Sequence, residues 1–208
     1  MSSAKTSSRP RRRQADRRAE SENRLLSAAA GLLVEKGTSA ATFRNIGDRA
    51  GLSRALVTRR FGSKRGMIDV LINRLKDRGA AGLAGRHLEA VSGIDAVLVY
   101  VDAFLDNLQA DREQRAYFIL LAASVSDESE ARSLFFETHQ ETAAYLQSFL
   151  RRGIAEGYIR SDLDPAAVSL TVGSLLLGLA TQSLLDPQMD LESLRNAAKA
   201  ILRHGIAA

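Results

Sequence analysis

The chain has 208 residues, 45% of them hydrophobic, with three prolines and no cysteine. That apolar content supports a sizeable core, and the absence of cysteine excludes disulfides, thiolate nucleophiles and cysteine-held metals and fits a reducing cytoplasm. The net charge of +5 is unevenly spread: residues 1–78 carry 19 Lys/Arg against 7 Asp/Glu, and residues 79–208 carry 10 against 17, so a polyanion-binding end is joined to an acidic end with another task.

Residues 1–18 read as a basic flexible arm without apolar periodicity. No apolar run follows its charges, so it does not read as a secretory signal. Arg11, Arg12 and Arg13, with Arg9, Arg17 and Arg18, suit either a DNA groove, phosphate neutralisation or a solubilising tail. From about Arg17 the chain turns helical, with Leu25, Leu26, Ala29, Leu32 and Leu33 on one stripe and Gly37 as the stop. Thr42 is placed to cap a short second helix carrying Phe43, Ile46 and Ala50 inward. Gly51 interrupts, Ser53 caps a third helix that ends at Phe61-Gly62, and Ser63 caps a fourth with Met67, Ile68, Leu71, Ile72 and Leu75. Three glycines after Arg78 (Gly79, Gly82 and Gly85) mark a boundary, giving a head over residues 19–80 and a body over 81–208.

In the body, helices are expected at about 94–109, 112–125, 128–156, 165–185 and 190–204, with Asp164-Pro165 as a capped start. No alternation of period two survives anywhere. The fold class is therefore all-α: an N-terminal three-helix helix-turn-helix head and a larger helical domain, about nine helices in total. The apolar stretch Leu170–Leu185 contains Thr, Ser, Gly and Gln and is short for a bilayer, so it reads as a buried helix and no membrane partner is expected.

A helix, a capped short helix, a glycine turn and another short helix within residues 21–61 form a helix-turn-helix. The third helix can lie in a major groove, braced by the second. Leu52, Val57 and Phe61 anchor it, which leaves Ser53, Arg54, Ala55, Leu56, Thr58, Arg59 and Arg60 outside or at the rim. Arginine pairs two-pronged with guanine, so Arg54 and Arg59 are the base-reading candidates. The helix period leaves Leu56 open between a thymine-methyl contact and the core.

The run from Thr42-Phe43-Arg44-Asn45-Ile46-Gly47 through Ala50-Gly51-Leu52-Ser53 to Phe61-Gly62-Ser63-Lys64 resembles the TetR family of transcriptional repressors, over about residues 24–72. Three positions depart from its pattern: Ala55 stands for the usual Gly or Pro, Thr58 for a phosphate-touching Tyr, and Arg60 for a common His. The resemblance implies phosphate contacts from Thr42, Arg44, Arg60 and Lys64 more than from Thr58, whose hydroxyl replaces part of the tyrosine's hydrogen bond but not its reach. It also implies a homodimer on a near-palindromic double-stranded DNA operator, released when a small effector binds.

Residues 165–185 are apolar on most of their circumference, with Ser169, Gly173, Ser174 and Gly178 as a thin strip that another backbone can approach. With Leu177 there, and with Leu194 and Ile201 of the last helix, these form the expected dimer interface. The body's aromatics cluster around Phe104, Tyr117, Phe118 and Phe135, and with His139, Thr142 and Gln182 as polar groups they make the expected pocket for a largely apolar ligand. His87, His139 and His204 lie far apart, and no catalytic, phosphate-loop or metal motif is present, so no enzyme activity, cofactor or metal is expected. Two alternatives remain: a helical small-molecule or lipid carrier or enzyme, and a DNA-binding protein with no effector.

Overall fold

The computed structural model describes residues 9–126 and 131–208, with the side chains of residues 9–13 and of residue 126 outside the description. The described residues form nine α-helices and one short 3-10 turn at Thr38–Ala40.

Helix α1 spans Arg9–Lys36. It begins well before Arg17, because Arg, Gln, Ala and Glu favour helix and Pro10 is tolerated in a first turn. Its polar opening turns carry no apolar period, which is why they read as an arm. Its stripe of Leu25, Leu26, Ala29, Leu32 and Leu33 is buried. Helix α2 (Phe43–Ala50) contributes Ile46 and Ala50, α3 (Arg54–Phe61) contributes Val57 and Phe61, and α4 (Lys64–Ala84) contributes Met67, Ile68, Leu71 and Ile72. These side chains make the core of the head. The caps fall where the side-chain chemistry puts them: Thr42, Ser53 and Ser63 each accept a backbone N–H three residues on. Gly51 ends α2 at φ 64°, a left-handed turn that favours glycine.

Helix α4 runs through Gly79 and Gly82 to Ala84, past the expected boundary near residue 80. Each glycine costs a helix only about 1 kcal/mol, and its neighbours on α4 hold the helix to the body. The body consists of α5 (Gly93–Ala110), α6 (Arg112–Ser126), α7 (Arg132–Ala155), α8 (Pro165–Leu185) and α9 (Leu191–Ile206). The part of the expected long helix at residues 128–130 lies outside the described residues.

Helix α5 is central and packs against α4, α6, α7, α8 and α9. Its Asp95, Asp102 and Asp106 pair with Arg203, Lys199 and Arg195 of the antiparallel α9. The Asp95–Arg203 pair is exposed and contributes little, the other two are partly buried, and the order of the three sets the register of the two helices. At the other face of α5, Gly93 lets α7 come close: a Cβ there would stand 2.2 Å from the Gly153 nitrogen and 2.4 Å from the Phe149 carbonyl oxygen. Gly93→Ala is therefore expected to lower stability by about 1–3 kcal/mol despite its better helix propensity, measured as a drop in the denaturant midpoint. An unchanged midpoint would show that α5 and α7 separate without penalty.

Candidate nucleic-acid interface

Between α2 and α3 the backbone closes tightly. The Leu52 N–H donates to the Gly47 carbonyl at 2.8 Å and the Gly51 N–H to the Asp48 carbonyl at 3.2 Å. Val57 and Phe61 root α3, at 0% and 6% exposure. Ser53, Arg54, Ala55, Thr58 and Arg59 are exposed on its outer side, and Arg44 and Lys64 are exposed beside it. None of Arg44, Arg54, Arg59 and Lys64 belongs to an ion pair among the described residues. Four cations are thus held without acidic partners beside a short, well-anchored helix, an arrangement suited to a polyanion.

The hydroxyls have two uses. Thr42 Oγ1 accepts the Asn45 N–H at 3.2 Å and Ser53 Oγ accepts the Leu56 N–H at 3.2 Å. Each retains its own O–H to donate outward, so a cap and a phosphate contact are compatible in one side chain. Thr38, Thr42, Phe43 and Lys64 line one surface cleft of about 380 Å³, which brings the expected phosphate residues Thr42 and Lys64 together.

Arg60 differs from expectation. It turns back from the outer surface to pair with Glu22 of α1, leaving its side chain 16% exposed. A long arginine at the rim of a helix reaches whichever charge lies nearest, and α1 supplies a carboxylate. Leu56 is half-buried. It lines a second cleft of about 470 Å³ with Arg17, Arg18, Ser21, Arg59 and Arg60, so it faces α1 rather than either extreme foreseen for it. The gathering of Arg17 and Arg18 with Arg59 was not legible in the sequence, which shows the two arginines only as part of a basic run. The side chains of Arg11, Arg12 and Arg13 lie outside the described residues.

In the body, the rings pack on one another. Tyr117 stands 5.1 Å from Phe118 and 5.1 Å from Phe135 between centroids, and Phe104 stands 5.7 Å from Phe118. Tyr117, Phe118 and Phe135 are buried and Phe104 is half-buried; burial pushes the Tyr117 phenol well above its ordinary range. His139 is at the edge, its ring 6.4 Å from that of Tyr117. Thr142 is half-buried beside the Tyr100 phenol. Gln182 does not join them: it is exposed on α8 with Gly178 and Leu185, positions one turn to either side of it. Phe136, next to the buried Phe135, is 63% exposed. Among the described residues no group of three His, Asp or Glu side chains stands close enough to hold a metal ion.

Helix α8 is long and apolar enough by composition to cross a membrane, but one side of it packs on α5, α6, α7 and α9. Its other side is open rather than buried, with Leu170 68% and Leu185 76% exposed, and Ile201 of α9 is 66% exposed. Ser174 and Gly178 lie on that open side, while Gly173, Leu177 and Leu194 are half-buried at its margin. Ser169 departs from the expected strip: it is 1% exposed, and its hydroxyl donates to the Ala166 carbonyl at 2.9 Å.

Residues 25–71 match the family described as "Bacterial regulatory proteins, tetR family". Residues 94–207 match "BetI-type transcriptional repressor, C-terminal". The chain is 27% identical over 148 residues to the HTH-type transcriptional repressor KstR2 of Mycobacterium tuberculosis, covering 67% of this chain and 70% of that one. The solved structure of that ketosteroid transcriptional regulator superposes with a TM-score of 0.67 at 21% identity, over 92% of this chain and 95% of the other. The fatty acid degradation regulator FadR from Bacillus halodurans superposes with a TM-score of 0.80 at 19% identity, over 89% and 95%. With the helix-turn-helix and the helical body both matched, the chain belongs to the TetR family and is a DNA-binding transcriptional regulator.

Proposed function

We propose that the protein is a cytoplasmic homodimeric repressor that holds a near-palindromic operator and releases it when a small, largely apolar ligand enters the body. The observation that carries the dimer is the open apolar side of α8, where Leu170 and Leu185 are more than half exposed on the face that holds Ser174 and Gly178, with Ile201 of α9 exposed as well. A second copy of the same face would cover it about a two-fold axis. One α3 reads a few base pairs, so two heads give useful affinity and a palindrome mirrors the axis. Arg54 and Arg59 are assigned to bases, and Arg44, Thr42 and Lys64 to phosphates.

The ligand half of the reading rests on Phe104, Tyr117, Phe118 and Phe135, with Thr142 and His139 beside them. Their ring-on-ring packing also favours a second reading, a DNA-binding regulator with no effector, since a ligand must displace rings to enter. A ligand releases DNA only if it binds the DNA-incompetent arrangement better. Selection of bound sequences from a random DNA pool tests the first half: enrichment of a near-palindrome is expected, and enrichment of isolated half-sites would overturn it. Weighing the small molecules freed on denaturing the purified protein tests the second, an apolar mass favouring the effector.

A further inference from the structure

Among the described residues, Glu113 is the one buried charged side chain, at 5% exposure. It is the second residue of α6, where the positive end of the helix dipole favours a carboxylate, and its N–H donates to Asp111 Oδ1 at 2.8 Å. Its partners come from the head. Arg74 Nε lies 2.9 Å and an Arg78 terminal nitrogen 2.8 Å from Glu113 Oε2, and both arginines are on α4, one turn apart. Ser27 of α1 donates to Oε1 at 3.5 Å. Arg78 also bridges to Asp111 at 2.8 Å, and Arg74 reaches Asn23 of α1.

The neighbouring residue extends the junction. Arg112 contacts Glu35 of α1 at 3.1 Å, and Glu35 holds Arg49 of α2 with two bonds of 2.7 Å. The Arg49 hydrogen bond, with the charges of Arg49, Arg112 and Lys36, keeps the Glu35 carboxyl below its ordinary range. Two consecutive residues at the start of α6 therefore hold α1 and α4 directly and α2 through Glu35.

A buried ion pair adds little net stability over an apolar seam, because desolvation offsets the attraction. The same helix supplies that seam one and two turns on, with Ala116 at 0% and Leu120 at 4% exposure. A charge at the seam's end acts instead on geometry: directional bonds to two arginines fix where α4 lies against α6, as apolar contacts do not. Helix α4 carries Lys64 at its first turn and runs unbroken from there, so its direction sets where the head points. Helix α6 packs on α8, the helix with the open apolar side.

We propose that Glu113 is a positioning residue that fixes the angle of the head on the body and thereby the half-site spacing that the dimer accepts. This rests on the dimeric operator reading above. The test uses the full chain and operators built from the selected half-sites with the spacer lengthened or shortened one base pair at a time. Glu113→Gln keeps the size and some hydrogen bonding but removes the charge. It is expected to bind the preferred spacing about tenfold more weakly, within the usual range of coupling between sites, and to accept neighbouring spacings that the unmodified protein rejects. Arg78→Gln changes a side chain that is 43% exposed and keeps the Arg74 pair, so it should broaden the spacing in the same direction by less. A folded, dimeric Glu113→Gln protein with the original single spacing would overturn the proposal. Should that variant not fold, an unchanged spacing profile for Arg78→Gln would overturn it. An unmodified protein with no preferred spacing fails earlier, at the dimeric operator reading, and removes the proposal with it.

Discussion

Glutamate at both Gly173 and Gly178 is expected to give a folded monomer that loses its operator. Beyond its own stretch of α8, neither glycine has an atom within 4 Å of where a Cβ would stand, so the monomer has room for both new side chains. Glutamate is also the better helix former, by several tenths of a kcal/mol per site, and α8 should remain helical. In a dimer the same carboxylates would be buried against a second thin strip without cations, at a cost of several kcal/mol. Losing the dimer separates two linked binding events, which weakens operator binding by about 10²–10⁴-fold. Sedimentation, circular dichroism and an operator titration on the double variant check this. A folded monomer with undiminished operator affinity would sink the dimer mechanism, and a persistent dimer would move the interface elsewhere.

The head was legible because its signals are local. Caps, glycine stops and a stripe of period 3.6 lie within a few residues of what they specify, and Thr42, Ser53, Ser63, Gly51 and the Leu25–Leu33 stripe fall as read. The first turns of α1 were hidden for the complementary reason. A helix that is polar all round has no period to read, although its residues favour helix. Helix α8 fails in the opposite sense. Being apolar on nearly every side, it does not declare which side faces its own chain, so Ser169 turned inward and Gln182 outward against expectation. Arg60 and Glu113 were illegible because their partners depend on tertiary placement. Glu22 lies on a different helix from Arg60, and the side-chain contacts of Glu113 come from positions 35 to 86 residues away. The helix period says which way a long charged side chain leaves the backbone, but not what it reaches.

Replacing Arg54 or Arg59 by alanine is expected to relax base preference, whereas replacing Lys64 should weaken every sequence alike. Arg54, Ala55, Thr58 and Arg59 are all exposed on α3; by the helix period Ala55 and Arg59 stand opposite the anchors Val57 and Phe61, and Arg54 and Thr58 flank the anchored side. A two-pronged arginine–guanine contact contributes about 1–3 kcal/mol of discrimination. A dimer loses it in both half-sites, so each arginine substitution should cost about 2–6 kcal/mol on the selected operator and much less on unrelated DNA. Lys64 lines a cleft with Thr42 at the helix ends rather than on the reading side. Its loss should remove one phosphate contact per head and make the salt dependence of binding shallower, by about 0.9 per contact. Arg59 is the sharper test of the two arginines, since it also borders the cleft with Arg17 and Arg18, where a phosphate contact is the competing assignment. Repeating the random-pool selection with each variant separates the roles. A guanine preference that disappears at one position per half-site assigns Arg59 to a base. A uniform loss for both arginines, with the selected sequence unchanged, would show that α3 holds the DNA backbone and that the sequence is read elsewhere on the head.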